Sequence, residues 1–175
     1  MALSKGETVE LTMPEAADMQ EFGETLGALL RGGDLVLLNG PLGAGKTTLT
    51  QGIARGMQVT GRVASPTFVI AQVHHSAIGG PDLVHVDAYR LDSLDELDAL
   101  DLDASLEDSA TVVEWGEGKV EVLTPDRLTL TIVRTEGSSE GDDVVTLSVD
   151  AARTVIVEAT GERSTQIVRE LQAAL

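Results

Sequence analysis

The run Gly40-Pro41-Leu42-Gly43-Ala44-Gly45-Lys46-Thr47-Thr48 constrains this chain more than any other stretch. It follows the apolar segment Leu35-Val36-Leu37-Leu38, which reads as a buried parallel strand. It precedes Leu49, Ile53 and Ala54, spaced for one face of a helix. Strand, glycine-rich loop, Lys-Thr and helix in that order make a phosphate-binding loop. Glycines at 40, 43 and 45 let the backbone turn where φ is positive and approach an anion with no Cβ in the way. Successive N–H groups then form a nest for phosphate oxygens at the positive end of the next helix dipole. Lys46 places a cation on the outer phosphates and is expected to face solvent when no ligand is bound. Thr47 offers a hydroxyl to a magnesium ion bridging those phosphates. Gly40, Leu42, Gly43, Ala44, Gly45, Lys46, Thr47 and Thr48 are thus the candidate nucleotide-binding residues.

At 175 residues the chain has the length of one domain, residues 1–175, with a central sheet covered by helices. Aromatic residues make up only 2%, so the core must be built from Leu, Val, Ile and Ala. The formal net charge of −17 repels phosphate backbones and argues against direct, unaided binding of nucleic acid. The absence of cysteine excludes disulfide and thiolate chemistry. Residues 1–7 lack the apolar core of a signal peptide, and no stretch approaches membrane-spanning length, so a cytoplasmic location is expected.

Along the chain, residues 7–12 alternate as a short strand. A helix follows from Pro14 to about Leu30, with Met19, Phe22, Leu26 and Leu30 on one stripe and Gly32-Gly33 closing it. The helix after the phosphate loop ends near Gly56. Strands are expected at 68–73, 83–87, 111–114, about 127–134, 143–149 and 154–158, with a last helix from Ser164. The turn-rich residues 135–143 read as a hairpin loop, and the acidic residues 92–108 carry a helical apolar edge through Leu94, Leu97 and Leu102. This order predicts an α/β fold, a P-loop NTPase-like three-layer sandwich with a mixed, centrally parallel sheet.

Two apolar runs end in a carboxylate, Val84-His85-Val86-Asp87 and Val112-Val113-Glu114. Ligands of open α/β sheets sit outside the carboxyl ends of the strands, so both acids can face the nucleotide's magnesium and its attacking water. One would hold the metal while the other orients the nucleophile. Ser65-Pro66-Thr67-Phe68 is a rigid turn offering two hydroxyls, and a loop threonine in nucleotide switches can bond magnesium or the last phosphate. His74, His75 and His85 lack metal-ligand spacing and read as surface or packing residues. No Asn-Lys-x-Asp segment occurs to read guanine, which favours adenine.

These pieces together resemble one family, the tRNA threonylcarbamoyladenosine biosynthesis protein TsaE, also called YjeE. The resemblance rests on residues 40–48, Ser65-Pro66-Thr67-Phe68, His85-Val86-Asp87-Ala88-Tyr89-Arg90-Leu91 and Glu114-Trp115-Gly116, in that order, across roughly residues 15–135. Pro41 departs from the acidic residue many members carry, and the chain from about residue 135 matches nothing in the family pattern. The resemblance implies an ATPase that uses ATP and Mg2+ and assists tRNA modification. In the family, TsaE acts on the TsaD and TsaB proteins, which transfer the threonylcarbamoyl group to an adenosine beside the anticodon. It also implies roles for single residues: Lys46 on phosphates, Thr47, Asp87 and Glu114 near metal and water, Thr67 in a switch-like loop, and Trp115 beside the nucleotide.

Two readings from other classes compete. A small-molecule kinase would carry arginines in a mobile lid, yet no basic residue lies between Arg90 and Lys119. A non-catalytic nucleotide-binding scaffold would need no paired acids at strand ends. No arginine is evident from sequence as a finger for the transition state, so hydrolysis by the isolated chain is expected to be slow.

Overall fold

A computed structural model describes residues 7–41, 43–64, 71–88, 107–115, 125–134 and 152–175. The described chain runs β1 (Thr8–Met13), α1 (Ala16–Leu29), β2 (Leu35–Asn39), α2 (Lys46–Met57), β3 (Ala71–His74), β4 (Asp82–Asp87), β5 (Ser109–Glu114), β6 (Leu128–Arg134), β7 (Arg153–Ala159) and α3 (Glu162–Ala174). The strands form one seven-stranded sheet in the order β1-β7-β6-β2-β5-β4-β3. Its centre, β6-β2-β5-β4, is parallel, while β7, β1 and β3 pair antiparallel at the flanks. The expected α/β class with a mixed, centrally parallel sheet is therefore what the chain adopts. The expected strand at 143–149 and the acidic stretch 92–106 lie outside the described residues, as does the start of the strand expected at 68–73. The antiparallel partner of β6 is β7.

The core forms where the sheet meets the three helices. Leu128, Leu130 and Ile132 of β6 share a face with Val155 and Val157 of β7, Val36 and Leu38 of β2, and Val112 of β5. Met19, Phe22 and Leu26 of α1, Leu49 and Ile53 of α2, and Ile167, Val168 and Leu171 of α3 close over that face. Leu35, Leu37, Val84, Val86 and Val113 alternate to the opposite face and are equally buried, as central parallel strands require. Among the described residues no helix is long and apolar enough to cross a membrane.

Helices α1 and α2 touch along their backbones, through glycines. A Cβ at Gly27 would collide with the Ile53 carbonyl, and one at Gly56 with the Glu24 carbonyl. That close approach fixes the start of α2, and with it the phosphate loop, over the sheet. Helix α3 is anchored at its first turn by Asp126, whose carboxylate accepts from the backbone N–H groups of Arg163 (2.7 Å) and Ser164 (2.9 Å). Burial raises the Asp126 pKa, but the bond from the Ser164 hydroxyl, then the two backbone bonds and the Arg163 charge, together hold the carboxyl below its ordinary value. Arg163 in turn donates from Nε and Nη2 to the two carboxylate oxygens of Asp34, at 3.1 and 3.0 Å. This two-point pair ties α3 to the start of β2.

Candidate nucleotide site

The register of the sheet gathers the site at one rim. In parallel β4 and β5, Asp87 stands opposite Glu114, and Glu114 stands opposite Leu38 of β2, one residue before the strand ends. All three strands deliver their carboxyl ends to the loop Gly40–Gly45. Strand β7 runs the other way, so its first residue, Arg153, reaches the same rim, opposite Arg134 at the end of β6.

The loop turns as its glycines require. Gly43 has φ 75° and Gly45 φ 111°, the second at the cap position of α2, where a side chain would be strained. Pro41 lacks an N–H, but its carbonyl accepts from the Ala44 N–H at 3.0 Å and from Lys46 Nζ at 3.0 Å, so the proline leaves the turn intact. Gly40, Gly43, Ala44, Gly45, Lys46, Thr47 and Thr48 fall within this loop and the first turn of α2; Leu42 lies outside the described residues.

Lys46 does not face solvent as the sequence led us to expect. It is 6% exposed, and Nζ donates to the carbonyls of Gly40 (2.6 Å) and Pro41 (3.0 Å). The Trp115 ring covers the ammonium, with its centroid 4.1 Å from Nζ. Burial lowers the Lys46 pKa, and the negative charges of Glu114 and Asp87 oppose that shift. Trp115 itself adopts φ 59°, a left-handed conformation uncommon outside glycine and held at a cost of order 1–3 kcal/mol. The strained turn follows directly on Glu114 and places the indole against the loop lysine.

A cavity of about 320 Å³ opens here, lined by Gly43–Thr48, Asp87, Glu114, Trp115 and Arg153 together with Met13, Glu15, Ala16 and Met19. The sequence-selected acids Asp87 and Glu114 and the hydroxyl residue Thr47 thus meet Lys46 in a single space. Thr67 lies outside the described residues.

Three further residues were misread or missed from sequence. His85 is neither surface nor plain packing: it is wholly buried, and its Nε2 lies 2.9 Å from Glu114 Oε2. Arg134 and Arg153 escaped notice altogether, yet their Nη2 atoms donate to the Gly43 carbonyl at 2.9 and 3.2 Å. A signal for them was present. Arg134 takes the next inward position after Leu128, Leu130 and Ile132, and Arg153 the one before Val155 and Val157, so both continue a buried face with a cation.

Mg-ATP fits this donor set. The cavity lining includes the cations of Lys46 and Arg153, the carboxylates of Glu15, Asp87 and Glu114, and the hydroxyl residues Thr47 and Thr48, and hard oxygen donors suit magnesium. Among the described residues no group of three or more His, Asp or Glu could hold a metal unaided. Magnesium characteristically takes one or two carboxylates and completes its shell with phosphate and water, which is what Thr47, Asp87 and Glu114 leave room for.

Comparison with known proteins identifies the family. The family model for threonylcarbamoyl adenosine biosynthesis protein TsaE matches residues 13–142. A curated relative, the tRNA threonylcarbamoyladenosine biosynthesis protein TsaE of Streptomyces coelicolor, is 58% identical over 146 residues, 83% of this chain and 93% of its own length. The protein of the same name from Mycobacterium bovis is 49% identical over 134 residues, 73% of this chain and 80% of its own. Among solved structures, that of Bacillus subtilis YdiB superposes with a TM-score of 0.73 at 27% identity, covering 97% of both chains. With the family model spanning most of the chain and these relatives 58% and 49% identical over 83% and 73% of it, the chain belongs to the TsaE family of threonylcarbamoyl adenosine biosynthesis proteins.

Proposed function

We propose that the protein binds and slowly hydrolyses Mg-ATP as an accessory factor in tRNA threonylcarbamoyladenosine modification, acting on the TsaD and TsaB proteins. The observation that carries this reading is the convergence of Lys46, Thr47, Asp87 and Glu114 on one cavity at the phosphate loop. In it, the loop N–H groups and Lys46 bind phosphate, once Lys46 exchanges the Gly40 and Pro41 carbonyls for phosphate oxygens. Thr47 and one of the two carboxylates would hold magnesium, which when bound neutralises charge on the phosphates. The other carboxylate orients the attacking water and accepts its proton.

Arg134 and Arg153 change the expectation of a site without arginine. Their Nη2 atoms lie against the loop that wraps the phosphates, so positive charge from β6 and β7 supplements Lys46 in cis. They sit on the side of the loop opposite Asp87 and Glu114, because β6 and β5 flank β2 on either side. A further positive group from a partner protein would still raise the rate. With a net charge of −17, the protein suits a role as a helper of a tRNA-modifying complex better than that of a tRNA binder.

Calorimetry with Mg-ATP, Mg-ADP and Mg-GTP tests the binding half of the reading. The expected outcome is saturable binding of both adenine nucleotides and much weaker binding of the guanine one. Absence of adenine nucleotide binding would remove the proposal.

A further inference from the structure

The buried His85–Glu114 pair carries a role that the residues of the loop do not explain. Burying an imidazole costs about 1–3 kcal/mol unless it is hydrogen-bonded, and position 85 lies between Val84 and Val86 in a strand where an aliphatic residue would pack without that cost. His85 is 0% exposed, and Nε2 lies 2.9 Å from the Oε2 atom of Glu114, whose side chain is 5% exposed. The other ring nitrogen, Nδ1, is buried with no hydrogen-bond partner among the described residues. Among the described residues the imidazole makes one side-chain bond, and that bond goes to the carboxylate lining the cavity.

The register explains why the pair meets. His85 stands opposite Val112 and Asp87 opposite Glu114, so His85 lies on the helix-covered face of the sheet one step below both acids. With Glu114 ionised, the bond requires the proton on Nε2, which makes His85 the donor. One carboxylate oxygen is thereby fixed from beneath the sheet rim, and the glutamate loses the freedom of its side-chain torsions before any ligand arrives. Asp87, one carbon shorter and exposed to an intermediate degree, has less freedom to lose.

We infer that His85 is a positioning residue, holding Glu114 in a fixed orientation toward the nucleotide cavity. The inference rests on the ATPase reading for the reaction that Glu114 serves. Groups that orient a metal-side carboxylate in this way typically matter by about 10–100-fold in activity or metal affinity when removed.

The test compares wild type with His85→Leu, His85→Gln, Glu114→Gln and the His85→Leu/Glu114→Gln double variant. ATP turnover is measured together with ADP affinity in the presence and absence of Mg2+. His85→Leu is expected to lower kcat by about 10–100-fold with KM and Tm little changed. His85→Gln, whose amide N–H can donate to Glu114, should recover much of that loss. In the Glu114→Gln background the His85 change should have no further effect on turnover, because the two act through one group. A drop in Tm and affinity matching the drop in kcat, with no recovery in His85→Gln, would reduce His85 to packing and overturn the inference. If the wild type itself does not turn over ATP, the ATPase reading fails, and the inference is then decided by binding. The effects of His85→Leu and Glu114→Gln on Mg-ADP affinity are then compared singly and together: non-additive effects support it, and additive effects, or no effect of His85→Leu, overturn it.

Discussion

The ammonium of Lys46 lies under the indole of Trp115, 4.1 Å from the ring centroid, while it donates to two carbonyls of its own loop. The loop cation is thus partnered within its own chain, and on the proposed function a nucleotide must replace those contacts to bind. Because Trp115 is the only tryptophan, its fluorescence reports that exchange without a label. Mg-ADP is expected to change the emission saturably, with a midpoint equal to the calorimetric Kd. A flat titration under binding conditions would place the indole away from the nucleotide.

Lys46→Ala removes a charge-assisted contact worth about 1.5–3 kcal/mol, equivalent to about 10–100-fold in nucleotide affinity. The carbonyls that Lys46 bonds belong to half-buried Gly40 and exposed Pro41, which water can reach, so the variant should still fold. Calorimetry and circular dichroism together check both halves.

Asp87→Asn and Glu114→Gln preserve size and remove charge. Each should leave nucleotide binding measurable while lowering hydrolysis by about 10²-fold or more. Wild-type turnover in either variant would return that acid to a structural role.

Arg134→Gln and Arg153→Gln test the cations that sequence inspection overlooked. Each should weaken Mg-ADP binding by about tenfold, and the double variant by more than either alone. Unchanged affinity in both would limit these arginines to bracing the Gly43 carbonyl.

The motif and the paired acids were legible because their signals are local. A glycine-rich loop between an apolar run and a helical stripe, and a carboxylate at the end of a buried strand, need no knowledge of which strands are neighbours. His85, Arg134 and Arg153 depend on that knowledge. His85 reads as packing until the β4–β5 register puts Glu114 diagonally across from it. Arg134 and Arg153 lie far apart in sequence and meet only through the antiparallel β6–β7 ladder. The close α1–α2 contact was equally hidden, because isolated glycines in a helix announce a backbone approach only once a partner helix is placed.

Stability should fall in acid through Asp126. A carboxyl whose folded pKa lies below its ordinary value stabilises the fold above the ordinary range near about pH 4 and loses that contribution as pH falls through the lower folded value. Wild-type Tm should therefore drop more steeply than that of Asp126→Asn between about pH 5 and pH 3. Above that range the Asn variant should be less stable by about 1 kcal/mol, the usual worth of a helix cap. Parallel slopes would remove Asp126 as an acid-sensitive anchor.

The most direct test is steady-state hydrolysis of Mg-ATP by the purified protein, alone and with TsaD and TsaB, across a salt series. Slow turnover by the isolated chain, none in Lys46→Ala, and a clear rise with the partner pair are expected. That rise should shrink as salt screens the attraction of a −17 chain for a basic docking surface. Turnover that survives Lys46→Ala, or fast turnover indifferent to the partners, would contradict the proposed function.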